Sequence, residues 1–273
     1  MTLLAQISDL HLRAGGLLAC GRGDALRAAR ETLGYLLSFR PSLDALVLTG
    51  DLADRGEEGA YLELAELLRP FEIPLGLVPG NHDDRERARE IFGGLCPWAA
   101  ETYPFLCWTR DLGKVGLIGL DVAQEGRVGG ALAGKVANFL EKALSAFGER
   151  DCLVFLHQPP FRSGLGDMDG FPFVNAGQLS EIMGAYPRAV LACGHLHRGL
   201  ASFWEGGRAI CAPPVCLHME LDLTEKGGHR FTLGPPGFAL YHYGEGLLNV
   251  HFASVPGDYP YAGPYYFSGP PAG

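Results

Sequence analysis

The chain has 273 residues, of which 47% are hydrophobic and 19% charged, a globular composition that excludes an intrinsically disordered protein. Its net charge of −9 argues against a nucleic-acid-binding protein, which needs a basic face. We expect no membrane span and no signal peptide, because no apolar run reaches 18 residues and no basic leader precedes an apolar core. Seven cysteines without paired spacing favour reduced thiols and a cytoplasmic protein.

The first part of the chain alternates predicted strands with predicted helices. Strands are expected at 3–8, 45–49 and 74–78, and helices at 24–39, 57–68 and 84–92. This βαβαβα order predicts a largely parallel sheet with crossover helices.

Strands dominate the rest of the chain. Strands are predicted at 105–109, 115–120, 152–156 and 189–192, helices at 134–147 and 176–186, and further strands at 200–204, 209–212, 217–223, 229–233, 238–243 and 247–252. One sheet does not hold so many strands comfortably, so we predict an α/β fold: a four-layer α-β-β-α sandwich in which two mixed β-sheets are flanked by helices. Residues 1–254 would form one domain, and the Pro/Tyr/Gly-rich tail 255–273 a loose extension or an arm that packs on the body or on a partner subunit.

Side chains of the metal-ligating type follow five of the predicted strands. They are Asp9 and His11, Asp51, Asn81 and His82, His157, and His195 and His197. Ligands bind at the carboxyl ends of strands in such sheets. Each residue alone is better explained as a cap, a turn residue or a packed histidine, but five together predict a common site. The two histidines of the last pair would project to the same side of an extended strand, and glycines before three of the blocks would let side chains converge.

The donor set predicts two metal ions. Two aspartates, one asparagine and four histidines suffice for two adjacent shells with one bridging carboxylate. Mixed nitrogen and oxygen ligands favour Fe, Mn, Zn or Co over Mg or Ca. Two such ions can clamp a phosphoryl group for in-line displacement. His82 remains outside these shells, in a position for acid–base or charge-stabilising work.

The five blocks resemble the calcineurin-like metallophosphoesterases over residues 1–253. They read Asp9-x-His11, Gly50-Asp51, Gly80-Asn81-His82-Asp83, His157 and Gly194-His195-x-His197. The resemblance implies a β-sandwich flanked by helices, with the metallophosphoesterase domain at 1–254. It also implies one metal bound by Asp9, His11, Asp51 and His197, and another by Asp51, Asn81, His157 and His195. Asp51 would bridge them, together with a hydroxide that acts as the nucleophile.

Three further segments, HQPPF, RAVLACGHLHRGL and PPGFALYHY, resemble the class III cyclic-nucleotide phosphodiesterase branch, which also contains bacterial glycerophosphodiesterases. The resemblance implies that His218 approaches the bound phosphate; ordinary packing of a strand histidine is the alternative. Gln158 stands where many relatives have histidine, which affects substrate contacts only. We expect ordinary packing for His229, His242 and His251, and a core position for Cys193.

The expected activity is hydrolysis of a small phosphodiester, either a cyclic nucleotide or a glycerophosphodiester, with Asn81, His82 and His218 contacting the substrate. The alternative is a phosphomonoesterase that acts on nucleotides or phosphoproteins, because the metal shells would be the same. A repair nuclease is disfavoured by the acidic charge. A non-catalytic scaffold is disfavoured because no ligand is missing. Tyrosine and phenylalanine residues between 259 and 267 suggest a homo-oligomer.

Overall fold

The structure is a computed structural model that describes residues 1–224 and 229–267. Its strands are β1 (Thr2–Ile7), β2 (Ala45–Thr49), β3 (Leu75–Val78), β4 (Trp108–Asp111), β5 (Val115–Gly119), β6 (Asp151–Phe155), β7 (Ala189–Cys193), β8 (Leu200–Trp204), β9 (Gly207–Cys211), β10 (His218–Met219), β11 (Arg230–Leu233), β12 (Gly237–Gly244), β13 (Leu247–Ser254) and β14 (Ala262–Tyr266). Its helices are α1 (Ala25–Leu37), α2 (Glu58–Leu68), α3 (Arg85–Phe92), α4 (Gly134–Phe147) and α5 (Ala176–Gly184). None of the helices in these described ranges is long and apolar enough to cross a membrane.

The strands form two large mixed sheets and one small sheet. The first large sheet has the order β13-β12-β1-β2-β3, and the second has the order β4-β5-β6-β7-β9-β8. In the first sheet β1, β2 and β3 run parallel, and in the second β5, β6, β7 and β9 do. The small sheet, β10-β11-β14, is antiparallel.

Strand β6 shows why the sheets stack with helices outside them. Its alternate residues Leu153 and Phe155 belong to the core between the sheets, where the ring of Phe155 contacts Tyr241 of β12 at 6.2 Å between centroids. The residues between them, Cys152 and Val154, belong to a second core with α4 and α5. Because successive strand residues face opposite sides, β6 is covered on both faces. The predicted four-layer α-β-β-α sandwich is confirmed.

A buried polar network joins the two large sheets beneath the ends of their strands. The Gln6 amide donates to Thr49 Oγ1 at 2.8 Å and to the Cys193 carbonyl at 2.9 Å, and it accepts from the Tyr241 hydroxyl at 2.6 Å. Each of these buried groups is therefore satisfied, which favours one alignment of the sheets. This alignment fixes the end of β1 relative to the end of β7.

The structure corrects two predicted strands. The strand predicted at 105–109 lies at Trp108–Asp111. The strand predicted at 217–223 is wrong beyond Met219, and only His218 and Met219 are paired. The apolar side chains of Leu221 and Leu223 suggested a buried strand, but they are 61% and 65% exposed.

The first part of the predicted tail packs on the body of the chain. Strand β14 pairs with β11, and the Tyr259 hydroxyl donates to Glu31 of α1 at 2.8 Å. The division at residue 254 and a homo-oligomer stay predictions, and residues 268–273 lie outside the described part.

Candidate metal centre

The carboxyl ends of β1, β2, β3, β6 and β7 meet at one edge of the sandwich, and they bring the predicted metal ligands together. Two clusters of predicted ligands place their ligand atoms within 4.8 Å of one another, namely Asp9, His11, Asp51 and His197, and Asp51, His157 and His195; a third such group consists of His11, Asp54 and His82. Asp51 is shared by the first two clusters. Asn81 lies in the wall of the same pocket. The six acidic and histidine residues of these two clusters are at most 6% exposed.

Three of the histidines are oriented by a hydrogen bond that their ring Nδ1 makes. His157 Nδ1 donates to the Thr49 carbonyl at 2.6 Å, and His197 Nδ1 donates to the Leu217 carbonyl at 2.5 Å. His11 Nδ1 lies 3.1 Å from a carboxylate oxygen of Asp54. A carbonyl only accepts, so the proton sits on Nδ1 and Nε2 turns toward the cluster. This is the usual arrangement behind a metal-binding histidine.

The atoms that face the cluster fit bound cations. His11 Nε2 and His197 Nε2 lie 3.1 Å apart, although each ring carries its proton on the other nitrogen. Asp9 Oδ2 is buried without a hydrogen-bond partner. Asp51 Oδ2 lies 3.5 Å from His11 Nε2 and 3.2 Å from His157 Nε2, between the two clusters. Facing lone pairs and an unpaired buried carboxylate oxygen are unfavourable alone, and cations would satisfy them.

Burial dominates the ionisation of these side chains. It raises the pKa of Asp9 to about 6, and it lowers the pKa of His197 to about 4. Burial also disfavours the charged form of His157, but the neighbouring Asp51 carboxylate outweighs it and raises the pKa of His157 to about 9. The Asp51 carboxylate, 3.2 Å from His157 Nε2, is therefore the main group that favours positive charge at this position.

The backbone at five of the candidate ligands is left-handed. Asp9, His11, Asp51, His195 and His197 have φ values of 55°, 52°, 49°, 69° and 49°. Non-glycine residues rarely adopt this region, and each costs of order 1–3 kcal/mol. The expectation that the last two histidines converge because they sit on an extended strand is wrong, since β7 ends at Cys193. Left-handed turns aim both rings inward instead.

Two glycines permit the close approach of these turns. A Cβ at Gly80 would overlap the Asp51 carboxylate, and a Cβ at Gly194 would overlap Ser8 Oγ. This agrees with the convergence that the sequence predicts at these positions.

His82 lies beside the two clusters at the pocket. Its backbone N–H donates to Asp51 Oδ1 at 3.0 Å, and its Nδ1 donates to the Asp54 carbonyl at 2.7 Å. Desolvation lowers the pKa of His82, but the Asp51 carboxylate and the Asp54 carbonyl outweigh it, and the net shift is upward. Its Nε2 is thus the ring atom left to act on a bound molecule.

Sequence reasoning missed two acidic residues that hold the site together. Asp54 orients His11, as described above. The Asp83 carboxylate accepts from the backbone N–H groups of Leu52, Ala53 and Gly80, and so ties the loop after β2 to the loop after β3. Asp83 belongs to the block Gly80-Asn81-His82-Asp83, but two of its partners lie in the loop after β2, which no local pattern indicates.

The structure does not bring His218 to the cluster. Its ring lies near Gly234, whereas the next residue, Met219, lines the pocket. Adjacent strand residues face opposite sides, so Met219 faces the pocket and His218 does not. The phosphate contact of His218 stays a prediction. His229, for which we expected ordinary packing, lines the pocket instead.

Two pockets open from the cluster. The first, of about 120 Å³, contains the cluster residues and has an apolar rim formed by Val128, Met168, Phe171, Met219 and Phe267. The second, of about 160 Å³, shares Met168, Phe171 and His195 with the first, and it also contains Gln158 and Asp169. A molecule bound at the cluster can therefore extend in two directions.

Comparisons with known proteins agree with this geometry. Residues 2–199 match the family model of calcineurin-like phosphoesterases. A glycerophosphodiester phosphodiesterase, GpdQ, from Enterobacter lignolyticus is 27% identical over 97% of this chain and 94% of its own. A cAMP/cGMP dual specificity phosphodiesterase from Mycobacterium tuberculosis is 32% identical over 88% of this chain and 75% of its own.

A solved structure supports the fold. A dimetal phosphatase from Danio rerio superposes with a TM-score of 0.71 over 95% of this chain and 98% of its own, at 12% identity. The family match covers most of the chain and includes the ends of β1, β2, β3, β6 and β7. The chain is a member of the calcineurin-like phosphoesterase family.

Proposed function

We propose that this chain is a metal-dependent phosphodiesterase that hydrolyses a small phosphodiester. The observation that carries the proposal is the pair of clusters that share Asp51, in which ring nitrogens and a carboxylate oxygen face inward without partners. Relatives that match nearly the whole chain are named as phosphodiesterases of glycerophosphodiesters and of cyclic nucleotides.

Specific residues would hold two metal ions. One ion would be held by Asp9, His11, Asp51 and His197, and the other by Asp51, Asn81, His157 and His195. The mixed donor set suits Fe, Mn, Zn or Co. Bound there, the metals would neutralise phosphate oxygens and lower the pKa of bound water.

The chain's own residues then position the substrate and move a proton. His82 anchors Nδ1 on the Asp54 carbonyl, so protonated Nε2 can donate to the oxygen of the departing alcohol. The apolar rim excludes water from the reacting group, which strengthens electrostatic interactions in the pocket.

The two pockets favour a diester over a monoester. An acyclic phosphodiester such as a glycerophosphodiester carries two separate alcohol arms, and a phosphoryl group at the cluster has one pocket for each arm. A phosphomonoester has a single arm and would leave one pocket without a substituent.

The test compares bis(p-nitrophenyl) phosphate with p-nitrophenyl phosphate in the presence of Mn²⁺, after chelation, and in Asn81→Ala. We expect the diester to be hydrolysed at least about tenfold faster, which corresponds to 1.4 kcal/mol. Chelation should abolish the rate. Asn81→Ala should lower it by more than the roughly 10–100-fold that loss of an outer-shell partner costs.

Asn249→Ala is the matched control, because Asn249 is exposed on β13. Faster hydrolysis of the monoester would contradict the proposal and would indicate a phosphomonoesterase instead. Absence of hydrolysis with Fe, Mn, Zn and Co alike, in a folded protein, would contradict both activities.

A further inference from the structure

The small sheet stands over the metal pocket and is tied to it. The Met219 N–H of β10 donates to the His197 carbonyl at 3.0 Å, and the Leu217 carbonyl accepts from the His197 ring. The chain segment after β14 reaches the same place, because the Phe267 N–H donates to the His229 carbonyl at 3.2 Å. Residues far apart in sequence therefore form one wall of the pocket.

The ring of Phe267 is held between this wall and a candidate metal ligand. Its centroid lies 4.7 Å from that of Phe231, 4.8 Å from that of His229 and 5.8 Å from that of His197. Phe231 is fully buried and gives the ring a fixed support. Phe267 is half-buried and lines the pocket itself. Its position is set by backbone pairing and by packing on a buried residue.

The pocket beside this ring is small. Its volume is about 120 Å³, whereas pockets that enclose drug-sized molecules start at about 300 Å³. Apolar side chains form its rim, so the volume that remains decides which substituent enters. Truncation of Phe267 beyond Cβ would remove a complete ring from the wall.

We infer that Phe267 is a specificity-determining residue, which favours a small alcohol over a bulky one as the ester arm in the metal pocket. This inference rests on the proposed phosphodiesterase function. It assigns the size selection of the enzyme to the segment after β14, far in sequence from the metal-binding blocks.

The experiment uses two diesters with the same leaving group, methyl p-nitrophenyl phosphate and phenyl p-nitrophenyl phosphate, on the Mn²⁺-loaded full chain. We expect Phe267→Ala to raise the phenyl-to-methyl ratio of kcat/KM by about tenfold or more, the range that small changes in apolar pockets produce. Phe267→Trp should lower the ratio. Tyr261→Ala is the control and should leave the ratio unchanged, because Tyr261 is 76% exposed.

Several outcomes would overturn the inference. A ratio that is unchanged or lower in Phe267→Ala means that the ring does not exclude the larger arm. A parallel loss of both activities with loss of bound metal, repeated in the milder Phe267→Leu, means that the residue only supports the fold. If the wild type hydrolyses p-nitrophenyl phosphate but neither diester, the proposed function itself fails, and the inference fails with it.

Discussion

The metal clusters and the rim above them are built on different principles. The clusters consist of buried polar side chains at the ends of four strands, and backbone carbonyls or carboxylates orient their rings. The rim consists of apolar side chains from loops, from β10 and from the residue after β14, and packing and backbone hydrogen bonds hold it. The need for metal-ligating atoms therefore restricts which residues can occupy the clusters. At the rim, the volume of the side chain is the restriction. We expect changes in the clusters to alter the rate and changes at the rim to alter the choice of substrate.

The largest effect is expected for Asp51→Asn. Asp51 is shared by both clusters, so loss of its charge weakens two sites at once. We expect bound metal to be lost and the rate on bis(p-nitrophenyl) phosphate to fall by about 10³-fold or more, since metals supply several kcal/mol of stabilisation. Metal content by mass spectrometry and the rate are measured together, with the exposed Asp258→Asn as the control. Two retained metals and a normal rate would show that the clusters are not the reaction centre.

His82→Gln is expected to lower kcat by about 10²–10⁴-fold, the usual contribution of a general acid. His82 lies outside the two proposed metal shells, so its removal should leave both metals bound. Metal content and kcat are compared in one preparation. Metal loss as large as in Asp51→Asn would place His82 among the ligands and contradict its assigned role.

Asp54→Ala should have a smaller effect, on metal affinity. It removes the carboxylate partner of His11 Nδ1, and loss of such a partner costs about 10–100-fold in affinity. Titration with Mn²⁺ measures the affinity, and excess metal should restore the rate. A rate that stays low at saturating Mn²⁺ would give Asp54 a direct part in the reaction.

The smallest effect is expected for Tyr259→Phe, which removes the hydrogen bond to Glu31 on the C-terminal segment. The free energy of unfolding should fall by about 1 kcal/mol, and kcat/KM should not change. Urea denaturation and hydrolysis of both diesters test this. A changed preference between the diesters would show that the attachment to α1 shapes the rim.

The sequence predicts the helices and strands whose apolar residues recur with a clear period. It also predicts that the polar residues after the strands lie together. Helix α4 begins and ends as predicted, because its apolar residues recur on one helical face. The predicted ligands lie together because the parallel strands that precede them end at one edge. The roles of Thr49 and Leu217 were not predictable, because a backbone carbonyl carries no residue type. The position of Phe267 depends on the pairing of β14 with β11, which no local pattern encodes.

The left-handed backbone at five candidate ligands has a consequence for engineering this fold. Replacement of Asp9, His11, Asp51, His195 or His197 by glycine would relieve strain of order 1–3 kcal/mol per site, because glycine has no Cβ to resist this conformation. A search for thermostable variants that ignores catalysis would therefore select against the active site itself. Backbone strain and ligand chemistry are in opposition at these positions, which is the usual form of a trade-off between stability and activity.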